Sequence, residues 1–313
     1  MKVIFFGTPE FAVPSLKAIS EHHEVLAVVT QLDKPVGRKK TPVFSPVKQF
    51  AVEHGITVLQ FEKVRRDGVE ELKKLNADIM ISCAYGQIFS KEILDITPYG
   101  MYNIHGSILP KYRGAAPIQW SIINGEPTCG ITILKTDVGL DDGDILLKSE
   151  VEIKKYETSE ELFERLSHVG AECIIKALTM LESGNFTLTP QDPSLATTCT
   201  MLKPELSKLD FNKSAQTLCN LIHGINPWPV AKVTIEGNHF KVYRAQVASS
   251  NYTGANGEVV VANNKTGLIV KCGDGAIEFT EIQPENGKRM TAKSYLNGKK
   301  INLGAIVSWT RNF

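Results

Sequence analysis

No Cys-x-x-Cys pair occurs anywhere in the 313 residues, although six cysteines are present, at positions 83, 129, 173, 199, 219 and 272. Structural zinc sites and dithiol redox motifs need close-spaced thiols, so neither is expected. These cysteines read instead as reduced, buried packing residues. The seven histidines include no His-Glu-x-x-His spacing, and no metal site is expected. No run approaches the roughly 20 apolar residues that span a bilayer, so no membrane partner is expected. The N-terminus enters a strand-like segment, Met1–Gly7, without the apolar region and small-residue cleavage site of a secretory leader, which points to a cytoplasmic protein. The first strand-to-helix turn, Gly7-Thr8-Pro9-Glu10-Phe11, lacks both the Gly-x-Gly-x-x-Gly of a dinucleotide site and the Gly-Lys-Ser/Thr of a P-loop. That removes the commonest sequence support for NAD and ATP.

What is present is an ordinary globular composition, 42% apolar and 22% charged, which excludes a disordered or collagen-like chain. The net charge of +1 conceals an asymmetry. Residues 1–202 carry 21 basic and 26 acidic side chains, whereas residues 203–313 carry 14 and 8. A basic C-terminal third suits an anionic partner, and compositional drift explains the same excess equally well.

The first half alternates short apolar runs with helical patterns. Val3–Gly7, Glu24–Thr30, Ile56–Gln60, Ile79–Ala84 and Met101–His105 read as strands without a polar face, as in a parallel sheet covered on both sides. Glu10–Glu21, Pro46–Glu53 and Gly68–Leu75 are long enough to be crossover helices. The expected fold class is therefore α/β, a doubly wound, mostly parallel sheet whose ligands bind beyond the carboxyl ends of its strands. A long helix is predicted over Ser159–Ser183, with capping-box spacing at Thr158 and Glu161 and Gly184 at its stop. Pro190, Pro193 and Pro204 then mark an irregular stretch that reads as a linker. After a short helix over Ser214–Ile225, five strand-like segments between Ala231 and Ile282 suggest a smaller, OB-like β-barrel. The expected division is 1–206 and 207–313.

The densest polar cluster runs from Asn103 to Ala115. If Met101–His105 is a strand, Asn103 and His105 share a face at its carboxyl end, where an amide and an imidazole can stabilise an oxyanion and move a proton. A lone histidine at a strand end is more often structural, so the pair is a candidate rather than an assignment. Asp137-Val138-Gly139-Leu140-Asp141-Asp142-Gly143-Asp144 follows a further strand-like run, Ile131–Lys135. It reads either as an acidic turn delivering a carboxylate to the same sheet edge or as a hydrated turn; the spacing and terminal glutamate of an EF-hand are missing.

His-Gly-Ser-Ile-Leu-Pro-Lys-Tyr-Arg-Gly-Ala-Ala-Pro-Ile-Gln-Trp (105–120) and the Asp137–Asp144 stretch resemble the two signatures of the 10-formyltetrahydrofolate-dependent formyltransferases. Further features resemble the tRNA-directed branch of that family over essentially the whole chain: Phe6–Pro14, Asp33–Arg38 with Ser45–Lys48, Ala84-Tyr85-Gly86, and Asn226-Pro227-Trp228-Pro229. The resemblance implies transfer of a formyl group from 10-formyltetrahydrofolate, as cosubstrate, to the α-amine of methionine on initiator tRNA, the step that prepares it for translation initiation. It implies a catalytic trio of Asn103, His105 and Asp141. Asp141 is preferred to Asp142 because the family's aspartate follows Gly-Leu, here Gly139-Leu140. It implies folate contacts at Ser107, Ile108, Leu109 and Pro110, with Tyr85 and Gly86, and tRNA contacts at Arg38, Lys39 and Lys40. Asp142 stands where the family often has Thr, and a glycine that often follows the arginine is absent after Arg38. A monomer is expected. Two rivals remain at this stage: a formyltransferase acting on a small amine acceptor or hydrolysing the folate, and a non-catalytic RNA-binding protein using the C-terminal domain alone.

Overall fold

The computed structural model describes residues 1–36 and 41–309, which form two compact units. The first comprises Met1–Gly114, Cys129–Val151 and Phe163–Cys199; the second comprises Ala115–Thr128, Glu152–Leu162 and the rest of the chain from Thr200.

The strands of the first unit are β1 (Lys2–Gly7), β2 (Glu24–Thr30), β3 (Lys34–Val36), β4 (Thr41–Val43), β5 (Val58–Gln60), β6 (Ile79–Cys83), β7 (Met101–His105), β8 (Arg113–Gly114), β9 (Thr128–Lys135), β10 (Ile145–Glu152) and β11 (Thr198–Cys199). Seven of them make one sheet in the order β10-β9-β7-β6-β1-β2-β5. β1, β2, β5, β6 and β7 pair in parallel, and β9 runs antiparallel to β7. The uninterrupted burial of β1 from Val3 and of all five β6 residues follows from helices covering both faces. Helices α1 (Val13–His22), α2 (Pro46–Glu53), α3 (Val64–Asp67), α4 (Val69–Lys74) and α5 (Lys91–Leu94) supply this cover. On one face Ile4, Phe6, Val29, Met80 and Met101 pack with Val64, Leu72 and Ile93. The chain leaves β1 for β2 and β5, then returns to β6 on the other side of β1. The carboxyl ends of β1 and β6 therefore flank the reversal of strand order where open α/β sheets bind ligands.

Two expectations change. The segment between Gln31 and Pro46, for which no strand was expected, carries the short antiparallel pair β3–β4. The stretch around Pro190 and Pro193 is no linker but part of the first unit: Ile145 bridges Thr189, and β11 pairs in parallel with β8. These residues are held one by one through backbone pairing, which leaves no hydrophobic period in the sequence.

The second unit contains α6 (Pro117–Ile123) and the first turn of α7 (Ser159–Ser183), whose later turns belong to the first unit. Thr158 and Glu161 form the expected capping box: the Thr158 amide donates to Glu161 Oε2 at 2.9 Å, and the Glu161 amide donates to Thr158 Oγ1 at 3.3 Å. α8 (Ala215–Gly224) is capped by Ser214 and buries Leu218, Cys219 and Ile222. The sheet contains β12 (Ala231–Ile235), β13 (Asn238–Val247), β14 (Val259–Asn263), β15 (Gly267–Lys271), β16 (Ala276–Pro284) and β17 (Met290–Thr291), followed by α9 (Ala292–Gly298). Its order is β12-β13-β16-β15-β14, antiparallel throughout, with β17 on β16. Alternation along β12 puts Ala231, Val233 and Ile235 into a core shared with Phe240, Leu268 and Phe279. The described strands do not close into a barrel. A later segment nevertheless reaches both outer strands: Ala305 O accepts from Val259 N at 2.8 Å, and Ser308 exchanges two backbone bonds with Thr234.

Candidate active site

The edge formed by β6, β7 and the turn after β9 gathers the trio expected from sequence. In β7, Asn103 and His105 lie two residues apart and so project to the same side. Ser82 of β6 donates its hydroxyl to Asn103 Oδ1 at 3.0 Å, which orients the amide so that its Nδ2 faces Asp141 Oδ1 at 3.5 Å. His105 is buried, and its Nε2 lies 2.9 Å from the Tyr112 carbonyl oxygen. A carbonyl only accepts, so Nε2 carries the proton. Nδ1 then faces Asp141 Oδ2, at 3.6 Å. Among the described residues the short bond to this carboxylate comes from the Gly114 amide, 2.8 Å from Oδ2.

Backbone shape puts these groups in reach. Asp141 takes a left-handed conformation, φ 49°, within the tight turn that joins β9 to β10. A Cβ at Gly143 would lie 1.8 Å from the Lys135 carbonyl oxygen, so only glycine allows the turn to fold back on β9. Gly114 has φ 115°, and a Cβ there would lie 2.3 Å from the Cys199 carbonyl oxygen. Both positions belong to the glycine-bearing signatures. Asp142 is exposed and sits over Gly139, so of the two neighbouring aspartates it is Asp141 that meets the histidine.

The residues expected to touch folate divide by depth. Ser107 is buried and donates to the Lys111 carbonyl at 2.7 Å; Leu109 is buried, its amide donating to Thr132 Oγ1 at 3.1 Å. Ile108 and Pro110 are partly exposed, and the Leu109–Pro110 peptide is cis. The Tyr85 ring packs edge-on to Phe6 in the core, where burial pushes its phenol pKa up. What Tyr85 offers at the sheet edge is backbone: its carbonyl accepts from Gln31 Nε2 at 2.9 Å and from Thr8 Oγ1 at 3.3 Å. Gly86 beside it is exposed, with φ 86°. This polar collar of Thr8, Gln31 and Gln87 lies at the carboxyl ends of β1, β2 and β6. Sequence reading missed it because each member comes from a different strand.

Arg38, Lys39 and Lys40 lie outside the described residues. Just before the β3–β4 pair, Asp33 receives Lys48 Nζ at 2.5 Å and Gln60 Nε2 at 3.1 Å. The hydrogen bond from Lys48 holds the Asp33 carboxyl below its usual range. Among the described residues no three His, Cys, Asp or Glu side chains converge as a cation site, and no helix is long and apolar enough to cross a membrane.

With the geometry in view, the chain can be set beside known proteins. The Formyl transferase family matches residues 1–178, and the Formyl transferase C-terminal domain matches residues 201–300. The methionyl-tRNA formyltransferase of Ruminiclostridium cellulolyticum is 46% identical over 97% of this chain and 98% of its own length. That of Lachnospira eligens is 47% identical over 98% and 99%. Among solved structures, an N-formyltransferase from Helicobacter canadensis, in complex with folinic acid and dTDP-3-aminofucose, superposes with a TM-score of 0.67 at 19% identity, over 89% of this chain and 98% of that one. HypX from Aquifex aeolicus, in complex with tetrahydrofolic acid, gives 0.62 at 17% identity, over 97% of this chain and 50% of that one. These two likenesses concern the fold.

Proposed function

The chain belongs to the formyl transferase family, and from that premise we propose that it moves a formyl group from 10-formyltetrahydrofolate to the α-amine of methionyl-tRNA. The observation that carries the reading is the convergence of Asn103, His105 and Asp141 at one sheet edge, in a chain whose full-length relatives bear that activity in their names. The amine attacks the formyl carbon and negative charge gathers on the formyl oxygen. Asn103 Nδ2 has no short bond to Asp141 and is free to turn as a donor to that oxygen. His105 keeps Nε2–H on the Tyr112 carbonyl, so proton exchange falls to Nδ1, on the side of Asp141. Asp141 orients the imidazole and stabilises it when it is charged; the proton leaving the amine and the one gained by the folate nitrogen pass along this pair. Holding both substrates in register supplies effective molarity worth about 7–11 kcal/mol.

Ser107 to Pro110 shape the folate side of the site, with Ile108 and Pro110 presenting surface and Ser107 and Leu109 fixing the loop beneath them. Tyr85 and Gly86 contribute backbone. Arg38, Lys39 and Lys40 grip the acceptor arm of the tRNA, and the basic excess of residues 207 to 313 serves the same anionic partner. In this division residues 1–206 carry the chemistry together with the Arg38–Lys40 contact, and 207–313 carry the rest of the RNA binding. The contacts of residues 305–308 with both outer strands support an OB-like barrel closed by that segment. A cytoplasmic monomer completes the reading.

The test presents purified protein with labelled 10-formyltetrahydrofolate and, side by side, methionyl-tRNA, an amino sugar nucleotide and glycinamide ribonucleotide. Label on methionyl-tRNA is the expected result; label on a small acceptor alone overturns the reading. Arg38→Ala lowers kcat/KM for methionyl-tRNA about tenfold at low salt, the worth of one charge-assisted bond, and less as salt rises. Folate affinity stays unchanged. Wild-type tRNA kinetics in that variant at low salt remove Arg38 from the RNA site.

A further inference from the structure

Gln191 lies in the stretch that sequence reading took for a linker, yet its side chain uses its whole hydrogen-bonding capacity inside the first unit. Nε2 donates to the Asp141 carbonyl and to the Gly143 carbonyl, both at 2.8 Å. Oε1 accepts from Arg113 Nε at 3.1 Å and from Arg113 Nη2 at 2.8 Å. Two carbonyls demand the amide nitrogen and a guanidinium demands the amide oxygen, so the partners settle the orientation of the group. One side chain thereby joins the two loops that meet at the carboxylate: the 141–143 turn, which bears Asp141, and Arg113-Gly114, whose Gly114 amide makes a 2.8 Å bond to that carboxylate.

We propose that Gln191, with Arg113, is a positioning residue for the formyl transfer: it fixes the Asp141 backbone relative to Gly114, and so aims the Asp141 carboxylate at His105 Nδ1. The inference rests on the catalytic reading above. Asp141 depends on such a clamp because its left-handed backbone sits in an exposed turn, and Val138 and Leu140 beside it are exposed rather than packed. Its two catalytic contacts, at 3.5 and 3.6 Å, are too long to hold the carboxylate by themselves. Other restraints on the Arg113 side act on backbone, among them the bond from the Arg113 amide to Thr197 O at 2.9 Å and that from the Tyr112 amide to Thr197 Oγ1 at 2.9 Å. They survive substitution of Gln191, so its loss disturbs the aim of the carboxylate and leaves β8 paired.

Two variants separate positioning from simple stabilisation. Gln191→Ala removes both halves of the clamp. Gln191→Glu is isosteric and keeps a partner for Arg113, but sets a carboxylate against the two carbonyls and cannot donate to them. Both are expected to lower kcat at least about tenfold, since misplacement by an ångström costs on this scale. KM for folate and for methionyl-tRNA stays within about twofold, and the pH profile of kcat is displaced because the carboxylate no longer faces the imidazole in the same way. Full kcat in Gln191→Glu, with loss only in Gln191→Ala, would show that Gln191 merely anchors Arg113, and overturns the inference. So does a fall in thermal midpoint in both variants with kcat and its pH profile unchanged. Wild-type protein that formylates no methionyl-tRNA defeats the functional reading instead. The geometry then stands or falls on the pH titration of the His105 ring NMR signals, which differs between wild type and Gln191→Ala if the clamp aims Asp141, and coincides if it does not.

Discussion

Each unit of the molecule sets a histidine near a carboxylate, and the two arrangements have opposite characters. In the second unit Glu161 is saturated: Thr158 donates to Oε2 through its amide and its hydroxyl, both at 2.9 Å, and Arg244 donates to Oε1 at 2.5 Å. Burial works against its charge, but the Thr158 amide and Arg244 outweigh it and pull its pKa down to about 2. His223 nearby is buried, and its Nε2 accepts from the Ala245 amide at 3.3 Å. Burial, reinforced by Arg244, pushes its pKa down to about 4. In the first unit Asp141 has one short bond and two long contacts, and His105 donates from Nε2 where His223 accepts. A carboxylate with every oxygen committed holds a helix end and changes its protonation only in strong acid. A carboxylate with slack beside a histidine whose free nitrogen faces it can tighten onto a reacting group. The same residue types become framework or chemistry according to how far their hydrogen bonds are already spent.

This contrast can be broken in three places. The largest effect is on rate. His105→Ala and Asp141→Asn are expected to lower kcat by about 100- to 10,000-fold, the range for a lost acid–base group, with the urea-unfolding midpoint nearly unchanged. Glu161→Gln is expected to leave kcat within about twofold. If Glu161→Gln slows turnover as much as Asp141→Asn, the division between framework and chemistry fails.

Next comes acid sensitivity at His223. Its pKa is depressed in the folded state, from 6.5 to about 4, so the unfolded chain binds the proton first. Its stability contribution is complete above about pH 6.5 and declines as pH falls toward 4. Over that window the difference amounts to about 3 kcal/mol by linkage. Urea unfolding of His223→Gln between pH 7 and 4 should show a visibly flatter pH dependence than the wild type; equal slopes would mean that His223 is not held neutral.

The smallest effect belongs to Glu161. Its folded pKa lies below the usual glutamate value of 4.5, so its contribution is present above about pH 4.5 and is lost as pH falls toward 2. Its side chain is 45% exposed, so solvent screens the Arg244 pair and the capping role sets the scale. Glu161→Gln should cost about 1 kcal/mol near neutrality and flatten the stability curve between about pH 4.5 and 2. A curve parallel to the wild type in that interval would assign the acid sensitivity to other carboxylates.

Much of the framework was legible because it rests on local rules. The limits of β2, β7, α2, α7 and β12 follow from runs, caps and alternation contained within each segment. Thr158 and Glu161 cap α7 as their spacing requires, and Gly184 ends it with φ 68°. The trio was legible for a different reason: His105 and Asp141 sit in two dense signatures, with Asn103 two residues ahead of the first, and the signature glycines are explained by close approach, Gly143 to Lys135 and Gly114 to Cys199. The clamp at Gln191 and the collar of Thr8, Gln31 and Gln87 were not legible, since each residue is a single polar side chain on a segment with no period of its own. Residues 189–199 read as a linker for the same cause: prolines and isolated polar contacts leave no pattern.

The amino-acid sequence by itself determined the sheet strands, the long capped helix, the two signatures and the choice of Asn103, His105 and Asp141 as residues worth watching. These follow from neighbours along the chain, where spacing converts directly into a face or a turn. Only the tertiary structure decided which nitrogen of His105 faces the carboxylate, how far that carboxylate stands from it, and which groups hold Asp141 in place. Those answers depend on the Tyr112 carbonyl, the Gly114 amide and the Gln191 side chain, which come from separate segments. Distance and donor direction exist only after the segments have packed, so no pattern along the chain can carry them.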